Sequence, residues 1–181
     1  MNILAVGAHP DDVETMCAGT LAKYAAQGHK VFIATATNGN IGSAHHTMEE
    51  IGRIRKQEAA NSAAIIGAEY ICLDYDDEMF FEIDRETRLN SSSLVRHCKA
   101  DVIFTHNPHD YNPDHMLTSK THQRYRRHDP HRAPERRRSC PTMSFRPSGI
   151  LNPRTPWLRA DGLRRYHRLF RHEDEDALLH G

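Results

Sequence analysis
At 181 residues, 38% apolar and with a formal charge of zero, the chain is sized for one domain with a real core, and a uniformly basic nucleic-acid binder is excluded. The zero is a sum of unlike halves: residues 1–120 carry 10 Lys+Arg against 17 Asp+Glu, whereas residues 121–181 carry 14 Arg, no Lys and 7 Asp+Glu. No stretch approaches the ~18 apolar residues of a membrane span, no basic segment precedes the first apolar run as in a secretory signal, and Cys17, Cys72, Cys98 and Cys140 show no C-x-x-C spacing, so a cytoplasmic chain with free thiols and no membrane partner is expected.

Ile3-Leu4-Ala5-Val6, closed by Gly7, predicts a buried parallel strand. Over residues 12–27, Val13, Met16, Cys17, Leu21 and Tyr24 recur at helical spacing, with Asp11 or Asp12 as cap at the start and Gly28 at the end. Residues 31–35 predict the next strand, and residues 38–46 a polar loop. Thr47-Met48-Glu49-Glu50 has capping-box spacing and opens a second helix that carries Ile51, Ile54, Ala59 and Ile65 and stops at Gly67. Residues 70–73 predict a third strand, 86–98 a helix and 102–105 a fourth strand. This alternation predicts an α/β fold: a Rossmann-like, doubly wound, mostly parallel sheet with right-handed crossovers. Ligands of such sheets bind beyond the carboxyl ends of the strands.

Two polar clusters stand at those ends. His9-Pro10-Asp11-Asp12 follows the first strand, and the run from His106 through Asn112-Pro113-Asp114-His115 follows the fourth. Together they can supply two imidazoles and a carboxylate to one divalent metal, with positions left open for water and substrate, as in catalytic zinc sites. A further carboxylate beside the ligands would take a proton from the water. Asp11 and Asp12 can divide those tasks, because consecutive side chains in a loop point different ways. Zinc is the expected metal, and Fe2+ suits the same donors. The plain alternatives are a polar loop histidine and a helix-capping aspartate. His45, His46 and His97 read as solvated surface. Asp76-Asp77-Glu78 reads as a solvated loop, with a substrate-facing role as the alternative. A nucleotide-binding module fits poorly, since Gly7 to Asp12 puts negative charge where a pyrophosphate needs N–H donors.

Gly7-Ala8-His9-Pro10-Asp11-Asp12-Val13-Glu14 after an N-terminal strand resembles the signature of the LmbE/PIG-L-type N-deacetylases. Asn112-Pro113-Asp114-His115 resembles that family's second motif. Arg55-x-x-Glu58-Ala59-Ala60, with Ile66-Gly67, resembles its second helix. The resemblance spans roughly residues 2–120. It implies a metal-dependent hydrolase, usually a zinc enzyme, that removes acetyl or related acyl groups from the nitrogen of N-acetylglucosamine-type sugars and conjugates. It implies His9, Asp12 and His115 as metal ligands and Asp11 as general base. Asp114 would lie beside the ligands, orienting ring or substrate groups, and Arg55 would face substrate or pair with a nearby carboxylate. The partner would be a small N-acyl sugar or conjugate rather than nucleic acid. Asn112 departs from the pattern, because many relatives carry there a histidine that steadies the oxyanion or protonates the leaving amine. Asn112 can donate a hydrogen bond but no proton at neutral pH. His106 or His109 is the possible substitute. The alternative reading is an inactive or truncated remnant that binds metal or sugar without turnover.

The expected organisation is a deacetylase-like domain over residues 1–120, truncated after about four strands, and an irregular Arg/Pro-rich tail over residues 121–181. The tail holds six prolines and no valine. A basic arm for acidic partners, a disordered solvated tail and translation in a shifted frame all compete. The shifted frame is favoured. A C-G-N arginine codon read one base later begins with G, so an Arg-rich, Lys-free stretch is what an Ala/Val-rich segment of GC-rich DNA becomes out of frame. A sheet truncated in this way would expose an edge and an apolar face.

Overall fold
The computed structural model describes residues 1–77, 83–123 and 142–144. The chain divides into two units, Met1–Pro147 and Ser148–Gly181, and the described residues all lie in the first. They form β1 (Asn2–Gly7), α1 (Asp12–Ala26), β2 (Lys30–Thr37), α2 (Met48–Ile65), β3 (Glu69–Tyr75), α3 (Arg85–Cys98), β4 (Val102–Thr105), α4 (Pro113–Gln123) and β5 (Thr142–Ser144). The strands make one sheet in the order β3-β2-β1-β4-β5, with every pair parallel. The strand order reverses between β1 and β4. The crevice at their carboxyl ends is therefore the topological switch point, where sheets of this class take their ligands.

Local sequence explains most of these elements. β1 and β2 are buried on both faces and so read as continuous apolar runs rather than alternating ones. Register sets Leu4 beside Phe32 and Ile103, and Val6 beside Ala34. These residues share a face and pack against Leu94 and Cys98 of α3. α1 buries Val13, Cys17, Leu21 and Tyr24. The capping box at α2 is complete, with Glu50 N–H donating to Thr47 Oγ1 and Thr47 N–H donating to Glu50 Oε2. Asp84 caps α3 by accepting from Thr87 N–H. Asp11 stands at the N-cap position of α1 but makes no side-chain capping bond.

Two elements go beyond the sequence expectation. The sequence pattern predicts no helix over residues 113–123, yet α4 forms there. Its buried side carries Asp114, His115, Thr118, Ser119, Thr121 and His122, so it has no apolar stripe to reveal it. β5 is a three-residue strand that pairs Thr142, Met143 and Ser144 with Ile103, Phe104 and Thr105. It is too short to show a period. The other expectations for residues 124–181 lie outside the described residues. Among the described residues, no helix is long and apolar enough to cross a membrane.

Candidate metal centre
The loop after β1 and the first turn of α4 meet at the switch point. Gly7 permits the approach, because a Cβ there would lie 2.8 Å from Asp12 Cβ. Asp12 is buried at the start of α1. Its Oδ2 accepts from His9 N–H at 2.7 Å and lies 3.4 Å from His9 Nδ1, while its Oδ1 lies 3.3 Å from His115 Nε2. The ligand atoms of His9, Asp12 and His115 all fall within 4.8 Å of one another.

This donor set fits a divalent cation. Ligand bonds of ~2.0–2.1 Å in a tetrahedron put neighbouring donor atoms roughly 3.3 Å apart, close to the separation of each imidazole from the Asp12 oxygen facing it, Oδ2 for His9 and Oδ1 for His115. Each imidazole also has a carboxylate near its far nitrogen. Asp114 Oδ2 forms a hydrogen bond with His9 Nε2 at 3.2 Å, a partner of the kind that fixes the ring orientation of metal-binding histidines. Asp110 Oδ1 stands 3.2 Å from His115 Nδ1, at ion-pair distance but outside hydrogen-bond geometry. Asp110 carries no signal of its own in the sequence, and only the fold brings it to His115.

The electrostatics agree with a cation-seeking cluster. Burial alone would lower the His9 pKa, but hydrogen bonding and charge from Asp12, with Asp77 and Asp114, raise it to about 9. Burial opposes ionisation of Asp12 as well, yet hydrogen bonds from His106, His115 and His9 hold its carboxyl far below the usual range. His115 is raised against its burial by the Asp12 hydrogen bond and charge. In this form protons supply the positive charge around Asp12, and a bound cation would displace them.

Asn112 anchors the second motif. Its Oδ1 accepts from Asp114 N–H at 2.8 Å and from His115 N–H at 3.4 Å, and its carbonyl accepts from Met116 N–H. It caps α4, with Pro113 in the first helical position, where a missing N–H costs nothing. An Asn-Pro pair was the available sign of this helix start. Of the two histidines considered as substitutes, His109 is exposed and His106 is buried against Asp12.

Asp11 stands at the exposed rim of the cleft above this cluster. Its side chain is 61% exposed, and its Oδ2 accepts from Arg55 Nη2 at 2.7 Å. The same nitrogen donates to the Pro10 carbonyl, and Nη1 donates to Glu58 Oε2. Of the two roles open to Arg55, the structure displays the ion pair, and Arg55 also borders the cleft. Gly39, at φ +76°, makes room for this packing, because a Cβ there would meet Arg55 Cβ at 3.1 Å and Pro10 Cδ at 3.2 Å.

A cleft of about 330 Å³ opens over the cluster, lined by His9, Asp11, Arg55, Asp77, Tyr111 and Asn112 among others. Asp77 is buried, with Oδ1 accepting from Gly39 N–H. Asp76 instead binds the Asn40 side chain, and Glu78 lies outside the described residues. His45, His46 and His97 are exposed and away from the cleft, and His97 pairs with Glu69.

The family model described as GlcNAc-PI de-N-acetylase (PIG-L) matches residues 4–125. The chain is 28% identical over 148 residues to the mycothiol S-conjugate amidase of Streptomyces coelicolor, a match covering 66% of this chain and 50% of that protein. It is 26% identical over 122 residues to the 4-oxalmesaconate hydratase of Pseudomonas putida, covering 63% and 47%. Among solved structures it is similar to the N,N'-diacetylchitobiose deacetylase of Pyrococcus horikoshii, with a TM-score of 0.61 and 27% identity over 66% of this chain and 46% of that one. The chain thus spans about half the length of these curated relatives.

Proposed function
The chain belongs to the PIG-L family, and on that premise we propose that it is a metal-dependent N-deacetylase that hydrolyses the amide of an N-acetyl amino sugar of the N-acetylglucosamine type or a related small conjugate. One observation carries the reading: His9, Asp12 and His115 converge beneath a cleft whose rim holds a separate carboxylate, Asp11. In this reading the three residues would hold a zinc ion, with Fe2+ as the other metal their donors suit, and such an ion would supply Lewis acidity for a water and for the amide carbonyl.

The chain's own residues do the rest. Asp114 orients the His9 imidazole. Asp11 accepts the proton of the attacking water as the new C–O bond forms. It returns that proton to the amide nitrogen as the C–N bond breaks, since Asn112 has no proton to give. Arg55 and Asp77 offer charged groups to the hydroxyls of a polar substrate. The reading assigns this chemistry to residues 1–120 and treats the chain beyond α4, within residues 121–181, as a segment of different origin. It takes the chain as cytoplasmic.

A second reading, hydration of a carbon–carbon double bond, draws on Asn112. Water addition expels no amine; the C–O bond forms at one carbon, and the proton that Asp11 takes from the water goes to the other, so Asn112 has no proton to supply. The test is acetate release from a panel of N-acetylglucosamine conjugates by zinc-loaded protein, compared with Asp11→Asn, alongside loss of absorbance from conjugated unsaturated acids. Acetate release that the variant lacks supports the deacetylase. Absorbance loss alone supports the hydratase. Stoichiometric metal with neither activity overturns both and leaves a non-catalytic metal- or sugar-binding chain.

A further inference from the structure
We infer that His106 is a positioning residue of the metal centre, holding Asp12 and His115 in the arrangement that accepts a divalent cation. The inference rests on the metal-centre reading above. His106 directly follows β4, whose Thr105 pairs with Val6 of β1, so the fold delivers its ring to the end of β1. It is 1% exposed. Its Nε2 stands 3.1 Å from Asp12 Oδ2 and 2.9 Å from the Ala8 amide nitrogen. Its ring lies flat on that of His115, with centroids 3.9 Å apart and planes 11° apart. Its carbonyl accepts from Ser119 Oγ of α4 at 2.7 Å. One residue therefore touches two of the three candidate ligands and ties together the end of β1, the start of α1 and the body of α4.

The geometry separates positioning from ligation. Imidazole lone pairs lie in the ring plane, and two nearly parallel rings stacked face to face cannot both aim at one ion. His106, Asp110 and His115 do lie within 4.8 Å of one another. However, the stacking and the His115–Asp110 contact set His106 beside the centre rather than in it. As the Nε2–H tautomer His106 donates to the Asp12 carboxylate, and as the other tautomer it accepts from Ala8 N–H. An ionised Asp12 favours the first, which gives up Nε2 as the acceptor of Ala8 N–H. The bond to Asp12 fixes the carboxylate's rotation, and the stack denies His115 an alternative ring position. Partners of this kind typically change metal affinity by 10–100-fold when removed.

Zinc affinity of the full chain, measured by chelator competition, tests the inference in wild type, His106→Phe and His106→Gln, with the melting temperature of each metal-free protein recorded in parallel. Phenylalanine keeps the stack and loses the hydrogen bond, whereas glutamine can still donate to Asp12. The expected result is zinc binding ~10–100-fold weaker for His106→Phe and largely recovered in His106→Gln. His106→Asn, too short to reach Asp12, provides the same loss should the phenylalanine variant not fold. Equal affinity in wild type and His106→Phe, or a fall in metal-free melting temperature with affinity unchanged, would overturn it. A wild type that takes up no zinc would overturn the metal-centre reading itself, and this inference with it.

Discussion

Arg55 Nη2 lies 2.7 Å from Asp11 Oδ2, and the same guanidinium also binds the Pro10 carbonyl and Glu58. The carboxylate proposed as general base is therefore held by a cation from α2, whereas that of Asp12, its neighbour in sequence, is buried among histidines. Asp11→Asn should lower kcat by ~10²–10⁴-fold, the range of a lost general base, and leave bound metal unchanged. Arg55→Ala should lower kcat by a smaller factor, through a less well-placed Asp11, and Arg55→Lys should restore part of it. Steady-state kinetics with metal analysis on each variant check this. Loss of metal in Asp11→Asn would show that Asp11 belongs to the ligand set.

Metal uptake should strengthen as pH rises toward about 9. Metal-free His9 holds its proton up to a pKa of about 9, because the Asp12 hydrogen bond and charge overcome its burial. Zinc must displace that proton, so affinity falls as pH drops below this value, by up to about tenfold per unit for one proton. Chelator-competition titrations at pH 6, 7 and 8 would measure the slope. An affinity flat across that range would contradict the proton–metal exchange.

His122 should make the fold acid-sensitive. Burial pushes its pKa down to about 4, against the hydrogen bond to the Thr118 carbonyl. The unfolded chain takes up this proton below about 6.5. Stability is therefore full above that pH and is lost progressively between about 6.5 and 4, by on the order of 2 kcal/mol at pH 5. Urea unfolding at pH 7 and pH 5 should show the loss, and His122→Phe should flatten it. His106 is also lowered by burial and adds to the same trend, so the difference between the two proteins is the quantity to read. An unchanged pH dependence in the variant would remove His122 from the account.

Asn112→Ala should destabilise the protein by about 1 kcal/mol through loss of the α4 cap. It should also weaken zinc binding, because Asp114 and His115 sit in the capped turn. Asn112→Asp, which caps equally well, should retain the stability. Thermal melts with zinc titrations distinguish this from a purely catalytic role, which would leave both unchanged.

Residues 121–123 continue α4 and the family match runs to residue 125, so we propose that the shifted reading frame begins beyond them, within the expected segment 121–181. Translating the source DNA in the other two frames should restore strand-and-helix periodicity past those residues. If neither frame does so, the proposal fails.

Local signals were legible in the sequence. The apolar runs of β1 and β2, the Thr47–Glu50 capping box and the two His/Asp motifs each depend on neighbours within a few residues, and short-range sterics and capping chemistry act at that range. α4 escaped because its buried side is polar, so no apolar stripe marks it. The resemblance pointed to His9, Asp12 and His115 as a group, but not to what surrounds them.

What the sequence by itself determined was the α/β alternation and which polar clusters stand at strand ends. Only the tertiary structure decided who meets whom there. His106 reaches Asp12 across 94 residues, and His9 reaches Asp114 across 105, because β1 and β4 pair side by side at the reversal of strand order. That adjacency comes from packing the whole sheet between helices, a cooperative choice that no short window of residues contains.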